Sequence, residues 1–141
     1  MPIYFHTEDI PFKLQNQAEI KKWINLCIRE SEKESGTINY IFCLDAYLLE
    51  INKKHLGHDY YTDIITFDNS EKAEIIDADI FVSIERVKEN AKNFGVAINM
   101  ELHRVLIHGV LHLLGWNDKS PKEAQLMREK EDKCLNILAL D

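Results

Sequence analysis

Residues 99–118 read NMELHRVLIHGVLHLLGWND. Asn99 is placed to cap a helix over 100–114, and Gly115 to end it. On a helix, positions four apart differ by about 40° and stack on one face. His108 and His112 therefore project together. Past Gly115, which can take a left-handed conformation, the chain turns back, and Asp118 brings a carboxylate to the same point. The spacing H-x-x-x-H-x-x-G-x-x-D is that of the long zinc-protease signature, with Asp as third ligand and without its Glu. Three protein ligands leave a coordination position open, the mark of a catalytic rather than a structural zinc, here one ion per chain. Such a site polarises a carbonyl or phosphoryl oxygen. Two helix histidines alone are a weak signal, since a partly buried pair has the same spacing, and Asp118 alone fits a turn before Lys119-Ser120-Pro121. Their coincidence with Gly115 is what points to a metal. Gly109 stands where a zinc protease has its general-base Glu, so peptide hydrolysis by that route is not supported. A small residue there leaves room for substrate or water.

Outward from this helix, the apolar pattern divides the rest of the chain. Residues 3–5 form a short strand. Ala18, Ile20, Trp23, Ile24, Cys27 and Ile28 recur at helical spacing within 15–35, and Gly36 stops that helix. Residues 37–44 are β-branched and aromatic, a strand. Asp45 caps a short helix through about His55. Residues 62–67 and 79–83 are two further strands able to pair antiparallel. A helix over 84–94 stops at Gly95, and Ser120-Pro121 starts a last helix over 122–138. The order β-α-β-α-β-β-α-α-α predicts an α+β fold. A small, mixed, mostly parallel sheet with one antiparallel pair is covered by helices, one of them a zincin-like metal helix. No repeat or linker interrupts residues 1–141, so a single domain is expected.

The composition, 45% hydrophobic and 29% charged, is that of a soluble globular protein. The first residues have no basic segment followed by an apolar one, and no run of about 18 apolar residues occurs, so neither a signal peptide nor a membrane span is expected. Cys27, Cys43 and Cys134 are odd in number and scattered in apolar surroundings, unlike a disulfide framework. A reducing cytoplasm is the natural setting. The net charge of -7 argues against tight, non-specific nucleic-acid binding. A local basic cleft remains compatible with it.

With these residues in view, the chain resembles the YbeY family of metal-dependent endoribonucleases. HGVLHLLGWND, residues 108–118, is similar to the family's HGxLHLxGxxH, with Asp118 in the third His position. Asp is a competent zinc ligand. INKKHLGHDYYTDIITF, residues 51–67, resembles LNxxYRxxDxxTDVLSF, and ADIFVS, residues 78–83, resembles GDIxIS. The likeness runs at least from Asn52 to Leu138. It implies a zinc-dependent, single-strand-specific endoribonuclease that matures the 3′ end of 16S rRNA and takes part in ribosome quality control. Its implied partners are single-stranded RNA, the small ribosomal subunit and its assembly factors. Leu56 stands where the family has an Arg thought to serve catalysis or the phosphate backbone, and leucine cannot pair with a phosphate. Lys53, Lys54, His55 and His58 are the nearby candidates to supply that charge. The substitution also opens an alternative, a ribosome-assembly factor with weak or vestigial catalysis. A small metalloprotease is disfavoured by Gly109.

Several other residues carry two readings each. Glu101, seven before His108, shares its helix face and can either orient a histidine or serve the helix dipole. His103 lies about 140° from His108 around the helix and faces elsewhere. Thr62, Asp63 and Thr66 can line a groove beside the metal or simply complete a strand. Trp116 can stack on a base or plug the helix end. The Lys/Glu-rich segment 119–133 reads as an exposed helix face. No general base is evident.

Overall fold

The structure, a computed structural model, describes residues 2–138. Its elements follow the expected order: β1 (Ile3–Thr7), α1 (Gln17–Glu30), β2 (Glu34–Cys43), α2 (Asp45–Leu56), β3 (Ile64–Asp68), β4 (Ile75–Ser83), α3 (Ile84–Phe94), α4 (Ile98–Leu113) and α5 (Pro121–Ile137). The strands form one sheet in the order β1-β2-β4-β3. β1 runs parallel to β2, and β2 to β4, while β3 is antiparallel to β4 and lies at the edge. The expected α+β class, mostly parallel with one antiparallel pair, is therefore found.

Alternation along the strands sends alternate side chains to opposite faces. Ile38, Tyr40 and Phe42 of β2 and Ile76, Ala78, Ile80 and Val82 of β4 enter the larger core. There they meet Ile20, Trp23, Ile24 and Ile28 of α1 and Leu102, Val105, Leu106 and Val110 of α4. Each Val, Leu, Ile or Phe among them contributes roughly 1.5–3 kcal/mol on burial. The opposite face carries a smaller cluster, in which Leu48 of α2 packs on Cys43 and Ile65. Buried polar atoms are tied across layers. The Tyr40 hydroxyl donates to the carbonyl of Leu106 at 2.9 Å, and Trp23 Nε1 donates to that of Cys134 at 2.6 Å. All three cysteines are buried and free.

Three local expectations are corrected. α1 ends at Glu30, and Gly36 lies inside β2 instead of stopping the helix. The β2–β4 register shifts between Ser35 and Ile38, and a Cβ at Gly36 would run into the Asp77 carboxylate, which accepts the Thr37 N–H at 2.6 Å. Glycine is there for a close approach at a bulge. Asp45 is the first residue of α2, with Leu44 in the capping position. Its carboxylate accepts from Ser83 Oγ at 2.6 Å and from Arg86 Nη2 at 2.8 Å, binding α2 to the start of α3. Ala97, not Asn99, occupies the cap of α4, and no side chain caps it. At α5 the expected start holds. Ser120 and Glu123 form a reciprocal capping box with Pro121 in the first turn.

Candidate metal centre

α4 lies against the edge of the sheet because Gly109 lets it. A Cβ there would fall 2.7 Å from Ile64 Cδ1 of β3 and 3.2 Å from Thr66 Cγ2. The missing side chain thus makes room for strand β3, not for substrate or water. This packing holds the outward face of α4, with His108 and His112, above the edge strand.

After α4 the Gly115 N–H donates to His112 O and the Trp116 N–H to Leu111 O, each at 3.0 Å. Gly115 has a φ of 102°, a conformation that favours glycine, and the chain reverses there. Asp118 returns over the histidines. His108 Nε2 and His112 Nε2 are 3.0 Å apart, and Asp118 Oδ2 lies 3.3 Å from the first and 3.4 Å from the second. Three donors at about 2.0–2.1 Å from a tetrahedral zinc would sit about 3.3 Å from one another. The residues therefore fit a metal ion, and the donor set, two imidazoles and one carboxylate, suits a borderline divalent cation.

Behind the triangle, His108 Nδ1 lies 2.5 Å from Glu131 Oε2. Burial lowers the pKa of His108, but the hydrogen bond and charge of Glu131 outweigh it, with Asp63 and Asp118 adding to the rise. The net result is a pKa above the ordinary histidine value. Asp63, just before β3, has its carboxyl pushed up by burial, with His108 opposing. Glu101 is likewise raised, first by burial and then by Asp63.

The triad opens into a cleft of about 590 Å³. Asn52, Leu56, His58 and Tyr60 line it from α2 and the following loop, and Thr62, Asp63 and Thr66 from the edge strand and its approach. Of the four cationic candidates, His58 reaches the cleft. Its ring stacks on Tyr60, centroids 5.2 Å apart at 19°, and the Tyr60 hydroxyl lies 3.0 Å from its Nδ1. Lys53 is engaged at the surface with Asp59 at 3.5 Å and Glu50 at 4.0 Å, and His55 meets Phe67 edge-on at 5.8 Å. Lys54 lies on α2 and is exposed. Leu56 is on the cleft wall.

The carboxylate at His108 is Glu131, which the Lys/Glu-rich segment concealed, while Glu101 lines a smaller cavity behind the site with Asp63, Arg104 and Arg128. His103 turns away, as expected, onto the edge of Trp23 at 6.2 Å, and burial lowers its pKa. Trp116 packs against the core and under Lys130, 5.7 Å from its ring centre, which is the plug rather than the stacking role.

Fold and site together define a helix-borne His-His-Asp centre in an open cleft at the edge of a mixed sheet. Residues 3–139 match the model of the family described as Endoribonuclease YbeY. The chain is 50% identical over 135 residues to the Endoribonuclease YbeY of Cytophaga hutchinsonii, covering 96% of this chain and 94% of the relative. It is 52% identical over 130 residues to that of Flavobacterium johnsoniae, covering 92% and 93%. The solution structure of a Thermotoga maritima protein superposes with a TM-score of 0.64 at 25% identity, over 95% of this chain and 87% of the other. The chain belongs to the endoribonuclease YbeY family.

Proposed function

We propose that the chain is a zinc-dependent endoribonuclease acting on single-stranded RNA, with His108, His112 and Asp118 as the ligands of one zinc ion. The observation that carries this reading is the triangle of donor atoms, with sides of 3.0, 3.3 and 3.4 Å, facing an open cleft. Bound there, zinc supplies Lewis acidity toward a phosphodiester. The chain's own residues do the rest. Glu131 and Arg104 brace the first histidine from behind. Asp63, half-buried, adds a carboxylate to the cleft wall. The stacked His58–Tyr60 pair offers a ring face on the cleft wall, where an unpaired base can stack and a duplex base cannot. His58 is the candidate for the charge that Leu56 does not supply, with Lys53, Lys54 and His55 farther from the cleft.

The reading extends to rRNA processing at the 3′ end of 16S rRNA and to ribosome quality control, with the small ribosomal subunit and its assembly factors as partners. The whole of residues 1–141 would act as one catalytic domain. The three buried free thiols accord with a reducing cytoplasm, and among the described residues no helix is long and apolar enough to cross a membrane. One observation favours a second reading, an assembly factor with weak catalysis: Leu56 puts an apolar side chain on the cleft wall where the family's Arg is expected.

The test is purified protein on single-stranded and duplex RNA, with and without chelator, beside Asp118→Ala. Cleavage confined to single strands and lost in both chelator and variant is expected. Full-rate cleavage in both controls would remove the metal from the mechanism, and no cleavage with any metal would favour the assembly factor.

A further inference from the structure

Glu131 is a carboxylate whose side chain is only 6% exposed, on a helix otherwise rich in surface charge. Removing a carboxylate from water is costly unless it is fully partnered. Both its oxygens are. Oε1 accepts from Arg104 Nη1 at 2.8 Å, and Oε2 lies 2.5 Å from His108 Nδ1. Arg104 is itself held, since its Nη2 donates to Asp132 Oδ1 at 2.7 Å. The arrangement is a chain running Asp132–Arg104–Glu131–His108, and it crosses from α5 to α4 twice. Its inner end contacts the nitrogen of His108 that does not face the donor triangle. His112 Nε2 and Asp118 Oδ2 both lie on the Nε2 side, at 3.0 and 3.3 Å.

We infer that Glu131 is the positioning residue of the metal site. By accepting a hydrogen bond from His108 Nδ1 it fixes the ring so that the Nε2 lone pair points at the ion, and Arg104 holds Glu131 in that place. The inference rests on the metal reading above and adds the source of its preorganisation: the last helix of the chain sets one ligand of the site. A metal-bound imidazole whose other nitrogen donates to a carboxylate is both oriented and made a better donor. The negative charge also offsets the cation that the site is to hold. Among the described residues no comparable clamp holds Asp118, which is reached through an exposed turn.

The test reads zinc affinity directly, by competition of zinc alone against a chromophoric chelator, with the melting temperature of the stripped protein measured in parallel. Glu131→Gln keeps the size and one acceptor oxygen but loses the charge. It should bind zinc about 10–100-fold more weakly. Met127→Ala, a buried change on the same helix at an apolar residue outside this chain of polar contacts, should lower the melting temperature and leave zinc affinity within about threefold of wild type. If Glu131→Gln does not fold, the zinc-loaded wild type still decides through ¹⁵N spectra of its histidines. Zinc on Nε2 of His108 with a slowly exchanging proton on Nδ1 is expected. Zinc on Nδ1, or a Glu131→Gln variant binding zinc as tightly as wild type, overturns the assignment. So does a loss in Met127→Ala equal to that in Glu131→Gln. A wild-type chain that takes no zinc overturns the metal reading and this assignment with it, whereas equal binding by wild type and Glu131→Gln overturns this assignment alone.

Discussion

On the proposed reading, single side chains of the cleft divide between holding the ion and meeting RNA. His108, His112 and Asp118 present three donor atoms to one point, and a change at any of them alters the chemistry. Tyr60 and His58 line the same cleft and present an aromatic face. A base stacked on an aromatic ring is worth about 1–3 kcal/mol. Tyr60→Ala should therefore raise KM for a short single-stranded RNA by roughly fivefold to 100-fold. Its kcat and zinc content should stay near wild type. A loss confined to kcat would place Tyr60 in the chemical step instead. The triad was legible in the sequence because all three members sit on one helix and the turn that ends it, where spacing alone fixes direction. Glu131 was not legible. It is 23 residues from His108, and in a segment reading PKEAQLMREKEDK nothing local separates a buried glutamate from its exposed neighbours.

Between elements, the decisive contact is α4 on the edge strand. Gly109 brings the helix so close to Ile64 and Thr66 that a glutamate there, which the protease signature would require, has no room and no partner. Gly109→Glu should cost about 3–5 kcal/mol, the scale of an uncompensated buried charge, read as a sharp fall in melting temperature without any gain of peptidase activity. A folded variant of wild-type stability would show that α4 stands off the sheet. The sequence placed every strand and helix in order, since each has a strong period of its own. It misjudged ends that tertiary contacts decide. Gly36 looked like a helix stop but serves a bulge beside Asp77. Asp45 looked like a cap but is drawn to Ser83 and Arg86, about 40 residues away. β4 begins at Ile75, four residues before the expected start at 79, because Ile75, Ile76 and Ala78 pair with β2, and Ala78 also with β3.

For the molecule as a whole, metal, proton and fold are linked. The pKa of His108 is raised in the folded protein. Its contribution to stability is therefore full below the ordinary histidine value and is lost as pH rises through the raised one. The raised Asp63 and Glu101 act with the same sign, in the range above ordinary carboxylates, while the lowered His103 acts oppositely. Zinc bound at the proposed site would displace the proton of each ligand, His108 among them, so the difference in melting temperature between zinc-loaded and stripped protein reports this linkage. That difference should widen from about pH 6 to about pH 8. A difference independent of pH would mean that zinc binds elsewhere. Adding zinc back to stripped protein while following cleavage of a single-stranded RNA decides whether one ion held by His108, His112 and Asp118 is needed for the cut. Activity should rise linearly and level off at one zinc per chain, with His112→Ala flat throughout. Full cleavage by the stripped protein, or by His112→Ala, would show that the cut does not need this ion.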